Sequence, residues 1–148
     1  MADTLQQLLR ERADTDTVAV KHGDRTWTWR EHVDDAQRQA AALIGIADPT
    51  RPLHVGALLG NTPDMLTALA AAALGGYVLC GVNTTRRGEA LARDIAKVDI
   101  QILLTDAQHK PLLDGLELPG VTVFDTGSAE WADLVAEPAV LTPHKEAA

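Results

Sequence analysis

Aromatic residues make up only 3 % of this 148-residue chain, and there is a single cysteine. So few rings give little of the stacking platform on which single-stranded nucleic acids are held. Cys80 sits in an apolar stretch with no second cysteine to pair with, which argues against an oxidising compartment and for a small buried hydrophobe. Long hydrophobic runs are also missing. The greasiest segment, 66–80, is alanine-rich, interrupted by Gly75-Gly76, and shorter than the roughly 20 residues that a spanning helix needs, so no transmembrane segment is expected. The opening Met-Ala-Asp-Thr-Leu-Gln-Gln has neither a basic leader nor an apolar core, so no secretory signal is expected and the chain is assigned to the cytoplasm.

Positive charge is the other shortage. Thirteen Lys and Arg face twenty-one Asp and Glu, a formal net charge of −8. The acids are spread along the chain, and Arg86-Arg87 is the one adjacent basic pair. Without a basic stripe to displace counterions, nucleic acid is not an expected partner. The five histidines, His22, His32, His54, His109 and His144, have no metal-ligand spacing, so no metal site is expected. No Gly-x-x-x-x-Gly-Lys-Ser/Thr loop and no Gly-x-Gly-x-x-Gly turn is present. Asn83-Thr84-Thr85 matches a glycosylation sequon that has no meaning without secretion.

What is there is a strand-helix-strand rhythm. The stretch 54–83 reads as a buried strand (54–59), a Gly60-Asn61-Thr62 turn, a helix opened by Pro63-Asp64, and a second strand (77–80). Leu66, Leu69, Ala70, Ala73 and Leu74 follow three-and-four spacing, the pattern of a stripe facing a sheet. Nearly continuous apolar strands imply cover on both faces, and a βαβ unit implies parallel strands with a right-handed crossover. A chain of this length buries a real core without disulfides or metal.

Upstream, residues 4–13 form an amphipathic pattern with Leu5, Leu8 and Leu9 on one side. Residues 18–21 and 25–27 flank His22-Gly23-Asp24 as a β-hairpin. Thr28-Trp29-Arg30-Glu31 has the form of a capping box, so a helix starts there, with Val33, Ala36, Ala40, Leu43 and Ile44 on its apolar face. Downstream, Asn83-Thr84-Thr85 is expected to cap a helix over about 86–97, with Leu91, Ile95 and Val98 inward. A strand follows at 100–104, then a short helix near 108–113 and another strand at 121–124. The expected fold is α/β: a mostly parallel sheet with helices on both faces plus an N-terminal hairpin. Residues 1–127 form the domain. Residues 128–148, with a helical turn near 129–135 and then Pro138, Pro143 and a polar end, have the composition of a linker.

Individual residues give little chemistry. The Gly60-Asn61-Thr62-Pro63 turn offers a helix N-terminus to an anion, but Pro63 removes a donor and Asp64 already supplies the negative charge, which favours a structural cap. Asp34-Asp35 and Glu130 read as solvated helix faces rather than an acid/base pair. No catalytic, cofactor-binding or metal-ligating residue is assigned.

Three segments, in order and spacing, resemble the N-terminal region of the adenylate-forming enzymes. They are Thr28-Trp29-Arg30-Glu31-His32, Asn61-Thr62-Pro63-Asp64 with its alanine-rich helix, and Gly76-Tyr77-Val78-Leu79-Cys80-Gly81-Val82-Asn83. The match covers about 4–110 and looks most like actinobacterial fatty acid CoA ligases. It departs from the family pattern at Trp29, His32, Asp64 and Gly81, the last loosening a turn that the family makes rigid with proline.

The resemblance implies the first subdomain of that fold, and a parent enzyme that joins a carboxylate to ATP as an acyl-adenylate and then passes the acyl group to CoA. ATP, Mg and CoA are implied for the parent and none for this chain. The family's Ser/Thr/Gly-rich phosphate loop and catalytic lysine have no counterpart here, so the chain alone is expected to be inactive. Its expected partner is the remainder of a ligase chain, with self-association through exposed apolar surface. Asn61, Gly81 and Asn83, in loops at the carboxyl ends of strands, are expected to meet the other subdomain or wall an acyl pocket. The alternative is a stand-alone interaction or regulatory module derived from such a ligase.

Overall fold

The computed structural model describes residues 1–136 and 140–145. Helix α1 (Leu5–Glu11) begins at Thr4, whose hydroxyl accepts from the Gln7 N–H. Its buried residues are Gln6 and Leu9, while Leu5 and Leu8 face solvent, contrary to the expected Leu5/Leu8/Leu9 side. The reason is Gln6, whose amide donates to the Leu74 carbonyl at 3.2 Å and to the Lys145 carbonyl at 3.3 Å and so turns that face inward. Strands β1 (Val18–His22) and β2 (Arg25–Thr28) pair antiparallel as the hairpin, with Gly23 at φ +59° in the turn.

Helix α2 (Trp29–Ile46) opens on the full capping box. The Glu31 N–H donates to the Thr28 hydroxyl at 3.1 Å, and the Thr28 N–H donates back to the Glu31 carboxylate at 2.8 Å. Val33, Ala36, Ala40 and Leu43 are buried along it as expected. Strand β3 (His54–Leu58) then enters the sheet, α3 (Pro63–Gly75) crosses over, and β4 (Val78–Gly81) returns parallel to it.

The face of α3 matches the expected one at Ala70, Ala73 and Leu74 and departs from it at Leu66 and Leu69. Ala68, Ala70, Ala71, Ala72, Leu74 and Gly75 are buried, whereas Leu66 and Leu69 are 45 % and 48 % exposed. Ala68, Ala71, Ala72 and Gly75 follow the three-and-four spacing too, and small residues let two helices approach closely. At Gly75 an added Cβ would lie 3.2 Å from the Ala40 Cβ, so α2 leaves no room for leucines on that side. Gly76 closes α3 in the left-handed conformation, at φ +67°, with the Lys145 carbonyl over the place a side chain would occupy.

Helix α4 (Gly88–Lys97) buries Leu91 and Ile95; Val98, its C-cap, is exposed rather than inward. Asn83 does not cap this helix, whose N-cap is Arg87. Its side chain instead accepts from the Thr85 N–H and hydroxyl, the local turn that asparagine favours. Strand β5 (Ile102–Thr105) follows, Lys110–Leu113 is one 3₁₀ turn, and β6 (Thr122–Asp125) completes a parallel sheet in the order β4-β3-β5-β6.

Alternation along the strands splits the core in two. Val55, Ala57, Ile102 and Leu104 pack with α2 and α3 on one face, and Leu58 and Leu103 pack with Leu91 and Ile95 of α4 on the other. Helices therefore cover both faces. Helix α5 (Ala129–Ala136) adds Trp131, 5.5 Å from the Phe124 ring, to the first of these clusters. Segment 140–145 lies back against the corner after α3, where the His144 N–H donates to the Gly75 carbonyl at 2.7 Å. Pro138 and the last three residues lie outside the described residues.

Candidate functional site

In the order β4-β3-β5-β6, the connection leaving β3 runs to one side and that leaving β5 runs to the other. The gap between the carboxyl ends of β3 and β5 is thus the point where an α/β sheet opens a crevice for a ligand. Two loops meet there. Asp106, the residue after β5, accepts from the Gly60 N–H at 3.0 Å with one carboxylate oxygen. Its other oxygen accepts from the His109 N–H at 2.9 Å and lies 2.6 Å from the His109 ring Nδ1. Below this cluster the buried Thr105 hydroxyl donates to the Leu58 carbonyl at 2.9 Å and ties β5 to β3.

Burial alone would push the Asp106 carboxyl up. The Gly60 N–H, the His109 ring and the His109 N–H together outweigh it and hold the group below the usual carboxylate range. Asp106 is thus an anion whose oxygens are already engaged, and it serves as the clasp between the loop after β3 and the loop after β5. Sequence reading missed this pair. The available signal was an Asp-x-x-His spacing directly behind an apolar strand, which lets a carboxylate meet a ring one turn later.

The three residues singled out from sequence all lie at this edge of the sheet. Asn61 is exposed beside Gly60. Gly81 ends β4 opposite Ala57 and is open, with nothing within 4 Å of an added Cβ. Asn83 is exposed and spends its side-chain oxygen on Thr85. They share an edge and do not converge on one point. The α3 N-terminus is capped without a side-chain bond from Thr62, whose hydroxyl oxygen is buried and unpaired, while Asp64 occupies the first turn and accepts from the Thr126 hydroxyl at 2.7 Å. Among the described residues no group of three or more His, Cys, Asp and Glu is placed to hold a metal ion. Cys80 is partly buried against the α4-side cluster rather than fully buried as expected, and that burial raises its thiol above the ordinary range. No helix among the described residues is long and apolar enough to cross a membrane.

The crevice, the two-faced parallel sheet and the preceding hairpin define a doubly wound α/β domain whose carboxyl edge opens between β3 and β5. The chain belongs to the AMP-binding enzyme family, whose profile matches residues 9–147. It is 42 % identical over 132 residues to the medium/long-chain-fatty-acid–CoA ligase FadD17 of Mycobacterium marinum, covering 89 % of this chain and 25 % of that protein. It is 41 % identical over 118 residues to the steroid-22-oyl-CoA synthetase of Rhodococcus jostii, covering 78 % of this chain and 20 % of that one. The chain therefore spans about a quarter or less of the curated relatives it matches. In fold it is similar to the N-terminal domain of FACL13 from Mycobacterium tuberculosis, with a TM-score of 0.82 and 19 % identity over 99 % of this chain and 39 % of that one. The fold is that of the N-terminal region of adenylate-forming enzymes.

Proposed function

We propose that this chain is the first subdomain of a fatty-acid–CoA ligase and that it is supporting architecture, inactive in adenylation by itself. The observation that carries the reading is the 42 % identity across 89 % of the chain to a fatty-acid–CoA ligase of which it spans only a quarter. Its chemistry is consistent with that role. The crevice is held by a carboxylate whose oxygens are already bonded, and its loops leave Asn61, Gly81 and Asn83 open to a neighbour.

In this reading those three residues meet the remainder of the ligase chain or wall its acyl pocket. An acyl-adenylate is a mixed anhydride, and a site that makes one must keep water out, so a rigid edge on this subdomain has a use. The complete ligase would use ATP, Mg and CoA, and this chain would bind none of them alone. The lone cysteine supports a cytoplasmic location. Leu66 and Leu69, exposed together on α3, support self-association of the chain when no partner covers them.

Fatty-acid-dependent ATP–pyrophosphate exchange in the complete ligase tests the reading. Exchange with medium or long acids is expected; exchange that ignores fatty acid, or none, contradicts it.

A further inference from the structure

The C-terminal end of α3 is finished by two segments that lie far apart in the sequence. A helix leaves its last carbonyls without partners of its own. In α3 the Leu74 carbonyl accepts from the Gln6 side-chain amide of α1 at 3.2 Å, and the Gly75 carbonyl accepts from the His144 N–H at 2.7 Å. The two segments also hold each other. An amide nitrogen has two hydrogens to give, and that of Gln6 lies 3.3 Å from the Lys145 carbonyl as well. This carbonyl sits over Gly76, in the space a side chain would fill, so the absence of a Cβ there is what admits the segment. Leu9 of α1 belongs to the core cluster against which Leu141 packs.

Neither piece is built to stand by itself. Helix α1 has seven residues, well short of the roughly 12–15 at which an isolated helix begins to hold in water. Its docked face is Gln6 and Leu9, both 4 % exposed. Residues 140–145 form neither helix nor strand. If that segment leaves, a buried Gln6 N–H loses its acceptor, and water does not replace it while α1 stays in place. If α1 leaves, the Lys145 carbonyl loses the Gln6 amide. The ladders that join β3 to β4 and β5 use neither segment.

We propose that α1 and residues 140–145 form a single latch on the C-terminal end of α3, which opens and closes as one unit while the four-stranded sheet stays folded. The coupling runs both ways, so a partner that engages 140–145 also frees α1. The inference concerns this chain's own segments and is independent of the ligase reading.

Amide hydrogen exchange of the ¹⁵N-labelled 148-residue chain, followed by nuclear magnetic resonance, tests it. The His144 amide and the Leu8 and Leu9 amides of α1 are expected to open with a common protection factor, within about threefold, that is lower than that of β3 and β5. Leu141→Ser, which loosens the segment without touching α1, is expected to speed exchange at Leu8 and Leu9 about fivefold or more. Gln6→Met, of similar length without the donors, is expected to do the same at His144. Both variants are expected to leave β3 and β5 unchanged. An unprotected His144 amide in the wild type overturns the latch. So does α1 exchange that ignores Leu141→Ser, His144 exchange that ignores Gln6→Met, or an acceleration that reaches β3 and β5 equally.

Discussion

Replacing Asp106 by alanine removes the clasp between the two carboxyl-edge loops. Its carboxylate takes the Gly60 N–H at 3.0 Å, the His109 N–H at 2.9 Å and the His109 ring at 2.6 Å. The two side chains are 19 % and 13 % exposed, so water reaches them in part. One hydrogen bond to a charged group contributes about 1.5–3 kcal/mol. Three that share one carboxylate are not additive, and water replaces some of them in the variant, which brings the expected loss to about 2–4 kcal/mol. For a chain of this length that lowers Tm by roughly 5–12 °C.

Urea denaturation of the wild type and Asp106→Ala at pH 7 measures the loss, and the pH dependence checks its origin. The folded carboxyl titrates below its unfolded value. Its contribution is therefore complete above about pH 4 and disappears as the pH falls through the folded pKa. The gap between the two proteins must narrow toward pH 2. A gap below about 0.5 kcal/mol at pH 7, or one that widens on acidification, would refute the reasoning.

Gly75→Val forces a branched side chain into a site where an added Cβ alone lies 2.7 Å from the Tyr77 ring and 3.2 Å from the Ala40 Cβ. A loss of about 1–3 kcal/mol is expected in the same denaturation assay, and no loss would show that α2 and α3 are not closely packed there. Thr28→Ala opens the capping box of α2 and is expected to cost about 1 kcal/mol. Leu66→Gln with Leu69→Gln should change stability by less than about 0.5 kcal/mol while reducing any concentration-dependent association seen by sedimentation. A large stability loss would mean that these leucines are not on the surface.

The sequence made the architecture readable because its local signals agree with the global fold. Thr28 and Glu31 are spaced for a capping box, Gly23 sits in a two-residue turn, and β3 and β5 are apolar on both faces, as strands covered by helices must be. It misled where several residues satisfy the same period. In α3 more than one three-and-four stripe can be drawn, and only the close approach of α2 at Gly75 and Ala40 decides that Ala68, Ala71 and Ala72 go inside with Leu74 while Leu66 and Leu69 stay out. In α1 a polar residue, Gln6, displaced two leucines from the core because it finds two backbone carbonyls that lie far away in sequence. Asn83 had two local uses, a helix cap or a turn, and the left-handed Gly88, at φ +58°, together with the N-cap at Arg87 put the helix start beyond its reach.

The site was less legible than the fold. Strand order puts Asn61 and Asn83, in loops, and Gly81, which ends β4 rather than lying in the expected loop, at the carboxyl edge of the sheet, and all three are exposed. The Asp106–His109 clasp depends on which strand neighbours β3. Once β5 proves to lie beside it, the loop after β5 must meet Gly60, and no spacing within the chain announces that.

The central claim is that this chain frames a nucleotide-dependent site without containing one. Isothermal titration of ATP with Mg into the purified 148-residue chain, with and without a long-chain fatty acid, tests it most directly. No saturable heat and no pyrophosphate release are expected. Saturable ATP binding accompanied by acid-dependent release of pyrophosphate from this chain alone would contradict the account.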